Sequence, residues 1–251
     1  MYNRVMKENN QDDFISTVSH ELRTPLTSIR GFSQTMLSSW DKLDDDSKKK
    51  FIKIIEEQSQ RLINLVENML AVSKLQKENN NLIYNEFDFK PVAQQVITIV
   101  KNQYQSKNFN LKVSDNLPKI FADKDKFTQI LTNLIENSAK YSLDNSDIKI
   151  EAKCVNDNIV ISVTNVGTHI EEADYEKIFT KFSRIDNPLT RKVQGSGLGL
   201  YITKQLVEKM SGHITVKSVP LNDGSGQSDI TFTVEIPIKN IEEQARIKCN
   251  Q

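Results

Sequence analysis

The run Phe14-Ile15-Ser16-Thr17-Val18-Ser19-His20-Glu21-Leu22-Arg23-Thr24-Pro25-Leu26 decides how the chain is read. Phe14, Val18, Leu22 and, one turn pair later, Ile29 recur at helical spacing and mark one apolar side. His20 stands two residues from both Val18 and Leu22, roughly 160° from each at ~100° per residue, so it points to solvent. Thr24, one turn on, shares its face, and Pro25 removes a backbone donor and should kink the helix just past the histidine. Glu21 is the neighbour of His20, and an imidazole suits nucleophilic chemistry: one ring nitrogen attacks while a carboxylate on the other can hold the tautomer and take its proton. A lone exposed histidine is more often only a solvated surface residue.

Outward from this run, residues 12–38 and 50–76 are predicted to form two long helices. In the second, Phe51, Ile55, Leu62, Leu65, Met69 and Val72 follow a three-four spacing, and Ile52, Val66 and Leu75 broaden the stripe. The segment between, residues 40–50, carries Asp44-Asp45-Asp46-Ser47, a loop with a helix N-cap. Two such helices cannot bury their stripe alone. Pairing with a second copy gives a four-helix bundle and hence a homodimer; the alternative is a hairpin packed on the rest of its own chain.

The chain has 251 residues with 33 Lys+Arg against 33 Asp+Glu, so no net charge draws it to nucleic acid or anionic lipid. Cys154 and Cys249 are far apart and have no metal-ligand or disulfide spacing. No apolar run approaches the ~20 residues of a membrane span, and no signal-peptide pattern follows Met1. The expectation is a cytosolic chain that makes no membrane contact of its own.

After an asparagine-rich linker the periodicity changes. Helices at 92–104, 125–141 and 198–210 are interleaved with strands at 111–113, 119–122, 148–155, 159–164, 213–218 and 230–236. Without strict βαβ alternation, this mixture predicts a two-layer α/β sandwich with helices on one face of a mixed sheet. The expected organisation is a helical dimerisation domain over 1–78, a linker over 79–84, an α/β domain over 85–240 and a polar tail over 241–251.

Asn133 and Asn137, at i and i+4 beside the apolar stripe of Phe127, Ile130, Leu131 and Leu134, are followed one turn on by Lys140. Two carboxamides and a lysine at the rim of a core can hold a hard cation and phosphate oxygens, and equally suit an ordinary helix surface. Gly195-Ser196-Gly197-Leu198-Gly199-Leu200 opens a helix, where glycines let a phosphate approach backbone N–H groups. No strand leads directly into it and no βαβ unit follows, so a dinucleotide fold is excluded.

Taken together these segments resemble the catalytic core of sensor histidine kinases. Phe14–Leu26 resembles their phosphoacceptor box, Asn133-Leu134-Ile135-Glu136-Asn137-Ser138-Ala139-Lys140-Tyr141 their N box, and Gly195–Leu200 their second glycine box. Ile178-Phe179-Thr180-Lys181-Phe182-Ser183-Arg184 resembles the phenylalanine box, leading into a lid at 185–194. The resemblance spans about residues 10–238. It implies ATP and Mg²⁺ as cofactors, a response-regulator receiver domain as partner, and a cytoplasmic location as the cytosolic portion of a sensor. It also implies roles: His20 as phosphoacceptor, Glu21 as its acid/base, Thr24 as the residue that positions a hydrolytic water on the partner's aspartyl phosphate. Arg184 would offset charge on the moving phosphoryl group. Asn137 would ligate Mg²⁺, Asn133 and Lys140 would meet phosphates, Tyr141 would pack on adenine, and Phe182, Gly195, Gly197, Leu198 and Gly199 would line the nucleotide.

The first glycine box of the family, Asp-x-Gly-x-Gly, is here Asn165-Val166-Gly167-Thr168-His169-Ile170. Asn165, Gly167 and Ile170 would border the base. Asn165 replaces an aspartate that accepts a hydrogen bond from the adenine amino group; a neutral bond there costs ~1 kcal/mol, about fivefold in affinity. His169 puts a side chain where backbone would approach the nucleotide. The third box keeps Gly224-Ser225-Gly226, and Ile230 falls where a hydroxyl residue is expected. The predicted function is autophosphorylation on His20 and phosphotransfer to a receiver aspartate. The competing reading is a dimeric scaffold with a degenerate pocket, and a stand-alone gyrase-like ATPase would leave the His20 box idle.

Overall fold

A computed structural model describes residues 2–75, 82–183, 195–221 and 224–238, with side chains from residue 16 onward. Its contacts divide the chain into two compact units, Met1–Lys74 and Leu75–Gln251.

The first unit is a helical hairpin of α1 (Tyr2–Ser39) and α2 (Asp45–Leu75) joined by a single 3₁₀ turn, Trp40–Lys42. The connection is shorter than the expected 40–50, because Asp44 caps the helix a turn early. Its carboxylate accepts from the Ser47 backbone N–H at 2.6 Å, and that bond holds the Asp44 carboxyl below the usual carboxylate range. Lys48 lies 4.8 Å from the Trp40 ring and closes the turn. Between the helices, Phe32 and Phe51 meet at 5.1 Å, and Pro25, Met36, Leu65 and Val72 are buried. The helix continues through Pro25.

The broadening residues do something else. Ile52 and Val66 are exposed, as are Ile63 and Leu70 on the same helix. At ~100° per residue these four fall within about 60° of one another. Leu26 and Leu37, eleven positions apart on α1, likewise share a direction and are exposed. Each helix therefore carries an apolar strip that its own hairpin does not cover.

The second unit is a two-layer α/β sandwich. It runs β1 (Tyr84–Phe87), α3 (Phe89–Gln103), β2 (Asn108–Val113), β3 (Ile120–Asp123), α4 (Lys124–Tyr141), β4 (Asp147–Val155), β5 (Asn158–Thr168), α5 (Gly199–Lys209), β6 (His213–Pro220) and β7 (Gln227–Pro237). β1 and β3 form a small antiparallel pair, and the main sheet has the order β2-β4-β5-β7-β6. β2 and β4 are parallel and every other neighbour is antiparallel, which makes the sheet mixed. Asn156 and Asp157, at φ 47° and 60°, make the tight turn between β4 and β5. Asp123 starts α4: one carboxylate oxygen accepts from Asp125 and Lys126 N–H at 3.1 Å each, and the other from Ile83 N–H at 3.0 Å. β1 was not anticipated. Residues 79–81 of the expected linker, the lid at 185–194 and the polar tail lie outside the described residues.

The three helices pack on one face of the main sheet, and burial alternates along β5 and β7 throughout and along most of β4. On that face the inward rows change character at one edge. Ile159, Ile161 and Val163 of β5 give way to Asn165 and Gly167; Ile214 and Val216 of β6 to Ser218; Ile236, Val234, Phe232 and Ile230 of β7 to Ser228. The register pairs Asn165 with Ile230, Gly167 with Ser228, and Ser218 with Ile230. Three neighbouring strands thus switch from apolar to polar at the same place.

Candidate functional site

In the helical unit His20 is exposed, as its angular position predicts. Thr24 Oγ1 donates to the His20 carbonyl at 3.3 Å, the usual back-bond of a helical threonine. Glu21 is not free beside it: Arg61, forty residues on in α2, reaches its carboxylate at 3.3 Å, and both side chains are only 22% exposed. Sequence spacing offered no signal for Arg61, because the contact is set by the register of the two helices.

In the α/β unit the N box and the second glycine box lie against each other. A Cβ on Gly195 would stand 2.9 Å from Lys140 Nζ and 3.8 Å from the Tyr141 hydroxyl, and one on Gly199 would stand 3.3 Å from Asn133 Oδ1. Asn133 uses its amide nitrogen to hold the start of α5, donating to the Gly199 carbonyl and to Thr203 Oγ1 at 3.2 Å each. Its oxygen is left toward the glycines. Asn137 lies one turn further along α4, half-buried on the same edge, and Leu198 is fully buried beneath the loop. Gly197 has φ +67°, and a Cβ there would come within 2.7 Å of the Phe182 backbone. Phe182 is itself left-handed at φ 58°, an uncommon conformation for an aromatic residue that marks a tightly determined spot. Phe179, behind it, packs edge-on to Phe232 with ring centres 6.4 Å apart. Arg184 lies outside the described residues.

The polar edge of the sheet makes the other wall. Asn165 is 2% exposed, and its Nδ2, like Ser138 Oγ, is buried with no hydrogen-bond partner. Gly167 belongs to that close packing: a Cβ there would sit 2.7 Å from the Tyr141 carbonyl, 3.2 Å from Asn165 Nδ2 and 3.4 Å from Ile230 Cδ1, so no side chain fits. His169, which stands where the family's pattern has its second glycine, has partners on the neighbouring strands. Its Nδ1 lies 2.9 Å from Ser228 Oγ and 3.0 Å from Ser218 Oγ, so the ring is tied to the ends of β6 and β7. Ser218 Oγ also accepts the Ile170 N–H at 3.1 Å, and its backbone N–H donates to the Tyr175 hydroxyl at 2.7 Å. Three side chains absent from the sequence reading, Tyr175, Ser218 and Ser228, therefore fix the loop after Gly167. A serine in the inward phase of an alternating strand was the available signal. Gly224 and Gly226, both at positive φ, form an open turn with nothing within 4 Å of either Cβ position.

Burial raises the carboxyl pKa of Glu136 above its ordinary value, and the nearby Lys140 ammonium opposes that shift. Burial also raises Tyr104, with Glu136 and Tyr141 adding to the effect. Among the described residues no group of three or more His, Cys, Asp or Glu side chains is placed to hold a metal, and no helix is long and apolar enough to cross a membrane. Any cation here would be held by carboxamide and phosphate oxygens, which suits a hard ion.

Two family models match the chain. Residues 10–78 match the His Kinase A (phospho-acceptor) domain, and residues 122–240 match the histidine kinase-, DNA gyrase B-, and HSP90-like ATPase. The chain belongs to the sensor histidine kinases. Sensor histidine kinase WalK of Bacillus subtilis (strain 168) is 32% identical over 238 residues, 92% of this chain and 37% of that protein. The kinase core thus spans little more than a third of that relative. Among solved structures, histidine kinase AdeS of Acinetobacter baumannii aligns with a TM-score of 0.66 at 26% identity, over 88% of this chain and 98% of that one. Histidine kinase ThkA, in complex with the response regulator TrrA, aligns with a TM-score of 0.73 at 26% identity, over 94% of this chain and 64% of that one. These neighbours share the order of a helical hairpin followed by a mixed-sheet α/β domain.

Proposed function

We propose that this kinase core moves the γ-phosphoryl group of ATP onto His20 and then onto an aspartate of a response-regulator receiver domain. The observation that carries the reading is the glycine cradle: at Gly195 and Gly199 any side chain would occupy the space facing Lys140 Nζ and Asn133 Oδ1. Such a gap, lined by an ammonium, a carboxamide and a helix start, suits phosphate oxygens.

In the first step a ring nitrogen of His20 attacks Pγ, an N–P bond forms, and the Pγ–O bond to ADP breaks with its electron pair on ADP. Glu21 takes the proton of the other ring nitrogen. In the second step an aspartate oxygen of the receiver attacks phosphorus, the N–P bond breaks with its electron pair on the ring nitrogen, and Glu21 returns its proton to the other nitrogen, restoring the neutral imidazole. Lys140 and Asn133 hold the phosphates, with Gly195, Gly197, Leu198 and Gly199 shaping their approach. Tyr141, Asn165, Gly167 and Ile170 border the base, Phe182 supports the loop, and Arg184 offsets charge on the phosphoryl group. Asn137 would hold Mg²⁺ through its carboxamide oxygen, and the ion would supply positive charge against the phosphates. Thr24 orients a water for hydrolysis of the receiver's aspartyl phosphate in a phosphatase state. The uncovered strips of Leu26, Leu37, Ile52, Ile63, Val66 and Leu70 support a homodimeric four-helix bundle. The core is read as the cytoplasmic portion of a longer sensor, a reading that the chain's 37% share of WalK supports.

The scaffold reading drew on Asn165 and His169. The hydrogen bonds of His169 to Ser218 and Ser228 give the ring a structural part in the sheet edge, which favours the kinase reading over the scaffold. The test is incubation with γ-labelled ATP and Mg²⁺: wild type acquires acid-labile label and His20→Gln does not. Equal labelling of both proteins overturns the proposal.

A further inference from the structure

Thr203 lies in the buried face of α5 with Ile202, Leu206 and Val207, and it is fully buried. A valine fills much the same shape without taking a hydroxyl out of water, so packing alone gives no reason for threonine there. The hydroxyl has a partner on another helix: Thr203 Oγ1 accepts from Asn133 Nδ2 at 3.2 Å. The same nitrogen donates to the Gly199 carbonyl, also at 3.2 Å. A carbonyl oxygen only accepts, so the carboxamide end beside it is the nitrogen, and this fixes which way Asn133 is turned. An amide nitrogen carries two hydrogens, and here two acceptors stand ready for them. Asn133 thus turns its Oδ1 toward the glycine cradle, 3.3 Å from where a Cβ on Gly199 would stand.

We propose that Thr203 is a positioning residue for the triphosphate. From beneath the cradle it holds the Asn133 carboxamide so that an acceptor, not a donor, faces the ligand. An acceptor meets a phosphate oxygen only through a donor or a cation between them, so the setting of this carboxamide decides whether Asn133 attracts the ligand or repels it. Without the Thr203 hydroxyl, the Gly199 carbonyl alone holds Nδ2, and the carboxamide is free to turn. The inference rests on the nucleotide-binding reading above and deepens it by naming a residue that acts through Asn133 without touching the ligand.

Thr203→Val keeps the shape and removes the hydroxyl; Thr203→Ser keeps the hydroxyl and removes a methyl group. Calorimetric titration with Mg·ATP and thermal melting are run on both variants and on wild type. Thr203→Ser is expected to melt lower than wild type, because it leaves a gap in the core, and to bind Mg·ATP within about twofold of wild type. Thr203→Val is expected to melt higher than Thr203→Ser and to bind about fivefold more weakly than wild type, the loss of one hydrogen bond. Affinity and stability then rank the two variants in opposite order, which a merely structural threonine does not produce. In an Asn133→Ala background, Thr203→Val is expected to change affinity no further. Equal affinity in wild type and Thr203→Val overturns the inference and leaves the nucleotide-binding reading standing. A Thr203→Ser protein that binds as weakly as Thr203→Val overturns it as well. Thr203→Ala, which also lacks the hydroxyl and adds no bulk, gives the same comparison if Thr203→Val does not fold. Wild type that binds no Mg·ATP ends the nucleotide-binding reading first and this inference with it.

Discussion

Arg61 on α2 holds the Glu21 carboxylate at 3.3 Å, immediately next to the exposed His20. The pair is mostly withdrawn from water, so it is geometrically fixed in a way that an exposed pair is not. A general base contributes roughly 10²–10⁴ in rate, and losing its orientation forfeits part of that. Arg61→Ala is expected to slow His20 labelling about tenfold with little change in the KM for ATP, because Arg61 belongs to the helical unit. Arg61→Lys, which keeps charge and loses the planar fork, should recover part of the rate. Single-turnover labelling at saturating ATP checks this; an unchanged rate in Arg61→Ala would deny Arg61 any positioning role.

Among the described residues Lys107 is the one buried lysine, at 5% exposed. Its ammonium donates to the Ser142 carbonyl at 2.9 Å, the Leu143 carbonyl at 2.6 Å and Asp144 Oδ1 at 3.1 Å. It ties the segment just past α4 to the start of β2, and so fixes where Lys140 and Tyr141 end up. Lys107→Met is expected to destabilise the α/β unit by about 1–3 kcal/mol, since the Ser142 and Leu143 carbonyls and Asp144 lose their shared donor. Urea unfolding measures it, and a shift in midpoint without a change in slope is the expected form.

Glu136 gives a pH dependence whose sign follows from burial. Its folded-state carboxyl titrates above the ordinary value of 4.5, so the folded protein holds that proton more tightly than the unfolded chain does. The associated stability is complete below the unfolded value and is lost as pH rises through the raised folded one. Glu136→Gln removes the charge that burial penalises. The variant is expected to melt higher than wild type at neutral pH, and the difference should shrink toward pH ~4 as the wild-type carboxyl is protonated. Melting curves across this range check the sign; a variant less stable at neutral pH would mean that the attraction of Lys140 outweighs burial.

Much of this was legible in the sequence because periodicity and motif spacing are local. The α4 helix, the β4–β5 and β6–β7 strands and the outward angle of His20 follow from residues within a turn or two of one another. What was not legible depends on register between distant segments. Arg61 meets Glu21 only once two helices are aligned. Ile52 and Val66 broaden an apolar stripe that the hairpin alone was not expected to bury, and they are exposed because α1 covers a narrower arc than the apolar residues span. The partners of His169, Ser218 and Ser228, approach it from strands some fifty residues later. β1 is four residues long and pairs with a strand across α3, so it leaves almost no local pattern.

Gly195 and Gly197 separate two demands that a glycine-rich loop combines. At Gly195 a methyl group would meet Lys140 Nζ at 2.9 Å, the far end of a flexible side chain. Lys140 can swing aside, so Gly195→Ala is expected to fold with an unchanged melting temperature. The displaced ammonium then no longer faces the phosphates, and ATP affinity should fall about tenfold, the equivalent of one charge-assisted hydrogen bond. At Gly197 the methyl group would meet Phe182 backbone at 2.7 Å and the residue would still have to hold φ +67°. Neither obstacle can move aside cheaply, and a left-handed alanine alone costs about 1 kcal/mol. Gly197→Ala should therefore lower both the melting temperature and ATP affinity. Calorimetric titration with Mg·ATP alongside thermal melting distinguishes the two. If Gly195→Ala binds ATP as well as wild type does, Lys140 is not a phosphate ligand, and the cradle loses its charge.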